Sequence, residues 1–187
     1  MHPLRKHIEQ VVSLTDEEFE VILTTCRKRV LKKNQYLLLE GNQCTSDFFV
    51  LSGSLRQYYT DDKGKEHIVQ FAVQNWWISD WDSILHQKPS FYNIDALEAS
   101  EVLQFGYQQL EHLFEEVPKM ERYFRIMLQR GFAAHQSRIL WLQKPAKARY
   151  LEFISAYPHF EQRLSQSHIA SFLGITRESL SRLKAKN

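Results

Sequence analysis

Along the chain the apolar positions change period twice, and those changes divide the protein. Near the N-terminus Thr15-Asp16-Glu17-Glu18 precedes Phe19, Val21, Ile22 and Leu23. That is a capping-box spacing: the Thr15 hydroxyl accepts from the N3 amide while Glu18 reaches back. It predicts a short helix ended by the basic run 27–33, then a strand over 36–39 closed by Glu40-Gly41. From 47 to about 105 the pattern is that of strands. Phe48-Phe49-Val50-Leu51 stops at Ser52-Gly53, and a strand over 55–59 runs into Asp61-Asp62-Lys63-Gly64, a hairpin turn by composition. Beyond it His67, Val69, Phe71 and Val73 alternate with Ile68, Gln70 and Ala72, and further short strands are predicted at 93–97 and 102–105. Short strands separated by turns predict an antiparallel sandwich or roll.

The period then lengthens. Between Glu111 and Gln143 the one breaker before Gly131 is Pro118, which suits a helix N-terminus. Met120, Phe124, Met127, Gly131, Ala134, Arg138 and Trp141 recur at alternating steps of four and three, a heptad seam. Leu128, Phe132, His135, Ile139 and Leu142 form a second stripe beside it. A long helix apolar on two sides packs twice, once on its own body and once elsewhere. Gly131 and Ala134 would let a second helix come close, so the expectation is a dimer seam at Met120, Phe124, Met127, Gly131 and Ala134. Lys144-Pro145 breaks this helix, a further one is predicted over 146–156, and two short ones follow.

Composition narrows the class without naming a chemistry. The 187 residues are 43% hydrophobic and 25% charged, ordinary for a globular chain and too apolar for disorder. No apolar run approaches the ~20 residues of a membrane span, and the polar N-terminus carries no secretory signal, so a cytoplasmic protein without membrane attachment is expected. Cys26 and Cys44 make neither a disulfide framework nor a metal set, and the eight histidines show no ligand spacing; no metal and no cofactor are expected. Charge is informative once divided. From Lys144 onward there are eight basic and three acidic residues, against 16 and 19 in the remainder. An acidic body with a basic tail suits a polyanionic partner.

The tail carries the most specific motif, over 165–184. Ser165 can N-cap a helix whose inner face is Ile169, Ala170 and Leu173, and Gly174 supplies a left-handed turn. Thr176 then caps a second helix with Leu180 and Leu183 turned inward. This is a helix-turn-helix. The face opposite the leucines presents Glu178, Ser181 and Arg182 with Arg177 at its edge. Arginine reads guanine through two hydrogen bonds and glutamate accepts from cytosine, while Thr176, Lys184 and Lys186 are placed for the backbone. An i,i+4 pair between Glu178 and Arg182 is the plain alternative.

A roll, a long helix and a C-terminal helix-turn-helix with Thr176-Arg-Glu-Ser-Leu-Ser-Arg resemble the Crp–Fnr family of bacterial transcription regulators over essentially the whole chain. Gly41, Gly53 and the 62–64 hairpin resemble its cyclic-nucleotide-binding roll more loosely. The resemblance implies an α+β fold: an N-terminal antiparallel β-roll of jelly-roll type (1–115), a long dimerisation helix (116–143) and a small helical DNA-binding domain (144–187). It implies a homodimer, a double-stranded DNA operator and no enzymatic activity, with RNA polymerase a candidate further partner. It also implies that Arg177, Glu178 and Arg182 contact bases and phosphate.

Two departures matter. Nucleotide-binding members carry Gly-Glu and then Arg-Ser, whereas Ser79-Asp80 and Pro89-Ser90-Phe91-Tyr92 stand here, without an arginine. A cyclic phosphate needs a charge-assisted partner, so cyclic AMP is not expected as the effector. Trp77, Ser79, Asp80, Trp81, Ser90 and Phe91 remain either core packing or an effector pocket of unassigned ligand. The sequence also stops shortly past the recognition helix, so the family's β-hairpin wing is not expected. Alternatives are an effector domain acting through protein partners, and a cupin-like enzyme, which would need a histidine cluster.

Overall fold

The structure, a computed structural model, describes residues 1–158 and 160–185. Eight strands build the roll: β1 (Arg27–Leu31), β2 (Tyr36–Leu38), β3 (Ser46–Ser52), β4 (Ser54–Thr60), β5 (Glu66–Val73), β6 (Trp77–Ile78), β7 (Asn93–Ala96) and β8 (Ser100–Gly106). They pair antiparallel in two four-stranded sheets, ordered β1-β8-β3-β6 and β2-β7-β4-β5. Leu31, Phe48, Val50, Leu55, Ile94 and Val102 fill the space between the sheets. The β3–β4 corner needs a close approach. Gly53 has φ +86°, and a Cβ there would stand 2.7 Å from the Ala99 carbonyl oxygen.

The predicted strands are present, and the Thr15–Glu18 capping box forms as read at the start of α2 (Asp16–Thr25). The basic run 27–33 is not merely a helix stop. Its first residues are β1, an edge strand paired with β8, where Lys28 meets Glu101 at 2.9 Å. Charged side chains on an edge strand discourage pairing with another chain, so polarity there misleads a pattern reading. The N-terminus is likewise not loose. Pro3 opens α1 (Pro3–Ile8), and Leu4 and Ile8, one turn apart, are fully buried.

Helices α3 (Trp81–His86) and α4 (Tyr107–Glu116) lead to α5 (Lys119–Leu142), 24 residues and thus about 36 Å long. Here the seam expectation is corrected. Met120 and Phe124 are 1% and 5% exposed in a core with Phe49, Phe105 and Leu113, and Met127 packs partly against it. A heptad stripe specifies that a face is covered, not by what, and the roll covers this one. From Leu128 on the helix leaves the body. Gly131 and Ala134 face a cavity, while Leu128, Phe132 and Ile139 are 46%, 66% and 63% exposed on another side.

Helices α6 (Ala146–Ala156), α7 (Phe160–Arg163), α8 (Gln166–Phe172) and α9 (Arg177–Ala185) form the C-terminal unit. It shares a core with the roll: Tyr58, Ile68 and Phe71 pack with Phe153, Phe160, Ile169 and Leu173.

One buried acid sets a pH dependence. Asp47 on β3 is 3% exposed, accepts from the Phe48 amide at 2.9 Å, and is pushed by burial up to about 7. The folded state therefore holds its proton above the pH at which the unfolded chain releases it, and this contribution to stability falls as pH rises through about 4 to 7. Compared by urea denaturation, Asp47→Asn should lose about 2 kcal/mol less than the parent chain between pH 5 and pH 8. Parallel pH profiles for the two proteins would refute this.

Candidate functional site

The helix-turn-helix is built as the sequence indicates. Ser165 Oγ accepts from the His168 amide at 3.1 Å, and Gly174 takes φ +65° to end α8. The Ile175 amide closes the corner on the Ala170 carbonyl at 3.0 Å. Thr176 Oγ1 accepts from the Ser179 amide at 3.2 Å. Ala170, 2% exposed, is small enough for the two helices to cross, and Leu180 is fully buried beneath α9.

With Leu180 inward, Arg177, Glu178, Ser181 and Arg182 are exposed together on the outer face of α9. The i,i+4 pair between Glu178 and Arg182 does not form. Arg182 Nη2 donates instead to Ser179 Oγ at 3.4 Å, and Glu178 is held below the usual carboxylate range by its own backbone amide and the Thr176 hydroxyl. Thr176 is exposed beside its own cap. Lys184 is not on the open face: it is half-buried and paired with Glu161 of α7 at 2.7 Å, because a residue four beyond Leu180 returns to the same side. Lys186 lies outside the described residues.

The six residues read as an effector pocket do not converge. Asp80 and Ser90 are 6% and 3% exposed and satisfy each other. Ser90 Oγ donates to Asp80 Oδ2 at 2.6 Å, while Asp80 Oδ1 caps α3 through the Asp82 and Ser83 amides. The Ser79 carbonyl accepts from Gln57 Nε2 at 3.2 Å. Phe91 is 69% exposed, and Trp81 packs on Tyr107 at 6.4 Å. Trp77 turns to the other core, its Nε1 donating to Tyr123 Oη at 2.8 Å. The physical reason is local: without an arginine to complete an anion site, the short Asp80 side chain turns to cap its own helix and bind Ser90.

A large cavity lies elsewhere. About 890 Å³ opens between β5 and β6 of the roll, the second half of α5 and the C-terminal helices. Trp77 is the one residue it shares with the expected pocket. Its other walls include Phe71, Arg130, Arg138, Trp141, Phe153 and Phe172; of these the sequence offers Arg138 and Trp141 as seam positions and singles out none as a binding residue. Arg138 on the seam was the available signal, since a charge on an apolar stripe demands a local partner. Among the described residues no three His, Cys, Asp or Glu side chains gather as a metal site.

Residues 28–117 match the cyclic nucleotide-binding domain family. The chain is 28% identical over 170 residues to the anaerobic regulatory protein of Aggregatibacter actinomycetemcomitans, covering 84% of this chain and 65% of that one. It is 26% identical over 187 residues to the transcriptional activator protein anr of Pseudomonas aeruginosa, with 92% and 75% covered. The chain thus spans less than two thirds of the first relative's length. Among solved structures it is similar to the c-di-GMP responsive global regulator CLP of Xanthomonas campestris, with a TM-score of 0.76, 14% identity and 92% and 91% of the chains covered. It is also similar to FixK2 from Bradyrhizobium japonicum, at a TM-score of 0.70, 17% identity and 86% and 83% coverage. Both likenesses show the fold: a roll, a long helix and a helix-turn-helix unit. The chain is thus similar to regulatory proteins, with the cyclic nucleotide-binding domain family matched over residues 28–117.

The closed Asp80–Ser90 pair yields a ligand prediction. Lys88, the nearest basic substitute in sequence, is paired with Asp82 at 2.6 Å. A phosphate placed beside Asp80 would meet a carboxylate with no guanidinium to offset it. Calorimetry with cyclic AMP or cyclic GMP at micromolar concentration should give no saturable heat. Saturable heat that disappears in Lys88→Ala would show a phosphate site and reverse this expectation.

Proposed function

We propose that the protein is a homodimeric, sequence-specific DNA-binding transcription regulator acting in the cytoplasm on double-stranded operator DNA. The observation that carries this reading is the open face of α9, where Arg177, Glu178, Ser181 and Arg182 are exposed while Leu180 anchors the helix. Arginine guanidinium matches guanine O6 and N7, and a glutamate that repels phosphate earns its place on such a face by accepting from cytosine N4. Thr176 and, once released from Glu161, Lys184 supply backbone contacts that give affinity without sequence information. Lys186 is assigned the same role from sequence alone.

In this reading residues 1–115 are the sensor roll, 116–143 the dimerisation helix and 144–187 the DNA-binding unit. The dimer contact falls on the exposed second half of α5. Leu128, Phe132 and Ile139 form a stripe that the chain's own described residues leave uncovered, and a two-fold axis would lay it against itself. Two recognition helices so related read half-sites about one helical turn apart. RNA polymerase is the further partner a regulator of this type acts through.

Two experiments test the reading. Arg182→Ala should cost about 1–3 kcal/mol on the cognate site and relax preference at one base pair. An unchanged ratio of cognate to scrambled binding in a gel-shift titration would remove Arg182 from base reading. Phe132→Glu sets like charges against each other across the two-fold, so light scattering should show monomers that bind operator poorly. An intact dimer for that variant moves the interface off this stripe.

A further inference from the structure

The cavity is joined by three parts of the chain that a regulator needs to couple. Phe71 and Trp77 come from the roll, Arg130 and Arg138 from α5, and Phe153 and Phe172 from the C-terminal unit. At about 890 Å³ it is the size of a small-molecule site, such sites running ~300–1,000 Å³.

Its charge is lopsided. Among the described residues Glu152 is the one carboxylate in the lining, and Lys144 holds it at 2.8 Å. Arg130 and Arg138 have no carboxylate partner among the described residues. Arg138 is half-buried, lies 3.8 Å from the Phe172 ring centroid, and donates to the Phe172 and Ile68 carbonyls at 3.0 and 3.4 Å. Burial pushes it down to about 10, so it stays charged at neutral pH, answered by carbonyls and aromatic faces but by no carboxylate.

This chemistry selects among occupants. A neutral apolar molecule would fill the aromatic walls but desolvate Arg138 further without pairing it. A cation would be repelled, and a polyphosphate would waste the apolar surface. A flat apolar body ending in a carboxylate satisfies both features, the carboxylate accepting from Arg138 Nη1 while Nη2 keeps its two carbonyls.

We propose that this interdomain cavity is the effector site of the protein and takes an amphipathic organic anion with a single carboxylate. The word effector rests on the regulator reading above; the site itself does not. Because the lining is complete only while the C-terminal unit sits on β5, a bound anion favours that arrangement over any other. Operator DNA that shifts the unit must then change the anion's affinity by the same factor.

Calorimetry on the full chain with naphthalene-2-acetate and with decanoate tests the site, with naphthalene-2-acetamide as the neutral control. Saturable micromolar binding of either anion is expected, with the amide at least tenfold weaker. Arg138→Gln should lose at least tenfold, and Arg138→Lys should recover part of that loss. Because Arg138 also bonds two carbonyls, Ala156→Trp serves as a second variant: exposed on α6, it fills the cavity from the other wall and should abolish binding. Absence of binding by both anions at millimolar concentration overturns the proposal, as does equal binding of acid and amide, or binding indifferent to both variants. Binding that vanishes as protein concentration passes the dimerisation midpoint would assign the groove to a second copy and also overturn it. Anion binding that persists where operator binding fails supports the site while removing the regulator reading.

Discussion

The arrangement of the molecule depends on how the free edge of β5 is satisfied. β5 is the last strand of its sheet, so part of its backbone has no neighbouring strand. Ser171 of α8 supplies one: its hydroxyl accepts from the Ile68 amide and donates to the Glu66 carbonyl, both at 2.9 Å. Arg138 of α5 takes the Ile68 carbonyl. An edge strand left open invites pairing with another chain, and backbone groups buried without partners destabilise any fold. Here both needs are met by side chains from the long helix and the helix-turn-helix. Roll, long helix and helix-turn-helix unit are thereby held at one seam, with Phe71 packing on Phe172 at 5.0 Å beside it.

That seam places the roll and the proposed DNA-reading face within reach of each other. The outer face of α9 is open while α8 rests on the sheet, so docking does not hide the proposed reading residues. The cavity under Arg138 opens onto the same junction. By contrast, the part of the roll around Asp80 and Ser90 is closed by its own hydrogen bonds, with Asp80 divided between a helix cap and Ser90. The polar groups there already have partners, while Arg130 and Arg138 at the cavity lack a carboxylate partner among the described residues.

The long helix shows the limits of periodic reasoning. Its seam was legible as a stripe, yet half of that stripe lies in the monomer's own core and half faces a cavity. The neighbouring stripe, Leu128, Phe132 and Ile139, is the one left exposed. Both are apolar at helical spacing, and nothing in spacing distinguishes a face covered by the same chain from one covered by another.

Local chemistry made much of the protein readable. The Thr15 capping box, the 61–64 hairpin, the period-two strands, Pro118, Pro145 and the whole Ser165-to-Leu183 motif are decided by interactions within a few residues, and they fold as read. The outward set Arg177, Glu178, Ser181 and Arg182 follows from Leu180 by helix geometry alone. What required tertiary structure was each question of which surface meets which. β1 takes its place by pairing with β8, α1 by burying Leu4 and Ile8, and Lys184 turns to Glu161 across a helix boundary. The cavity is assembled from residues as far apart as His7 and Phe172. Short-range hydrogen bonds and helical period are written along the chain, whereas packing between distant segments depends on shape and on competition for buried surface, which no local pattern encodes.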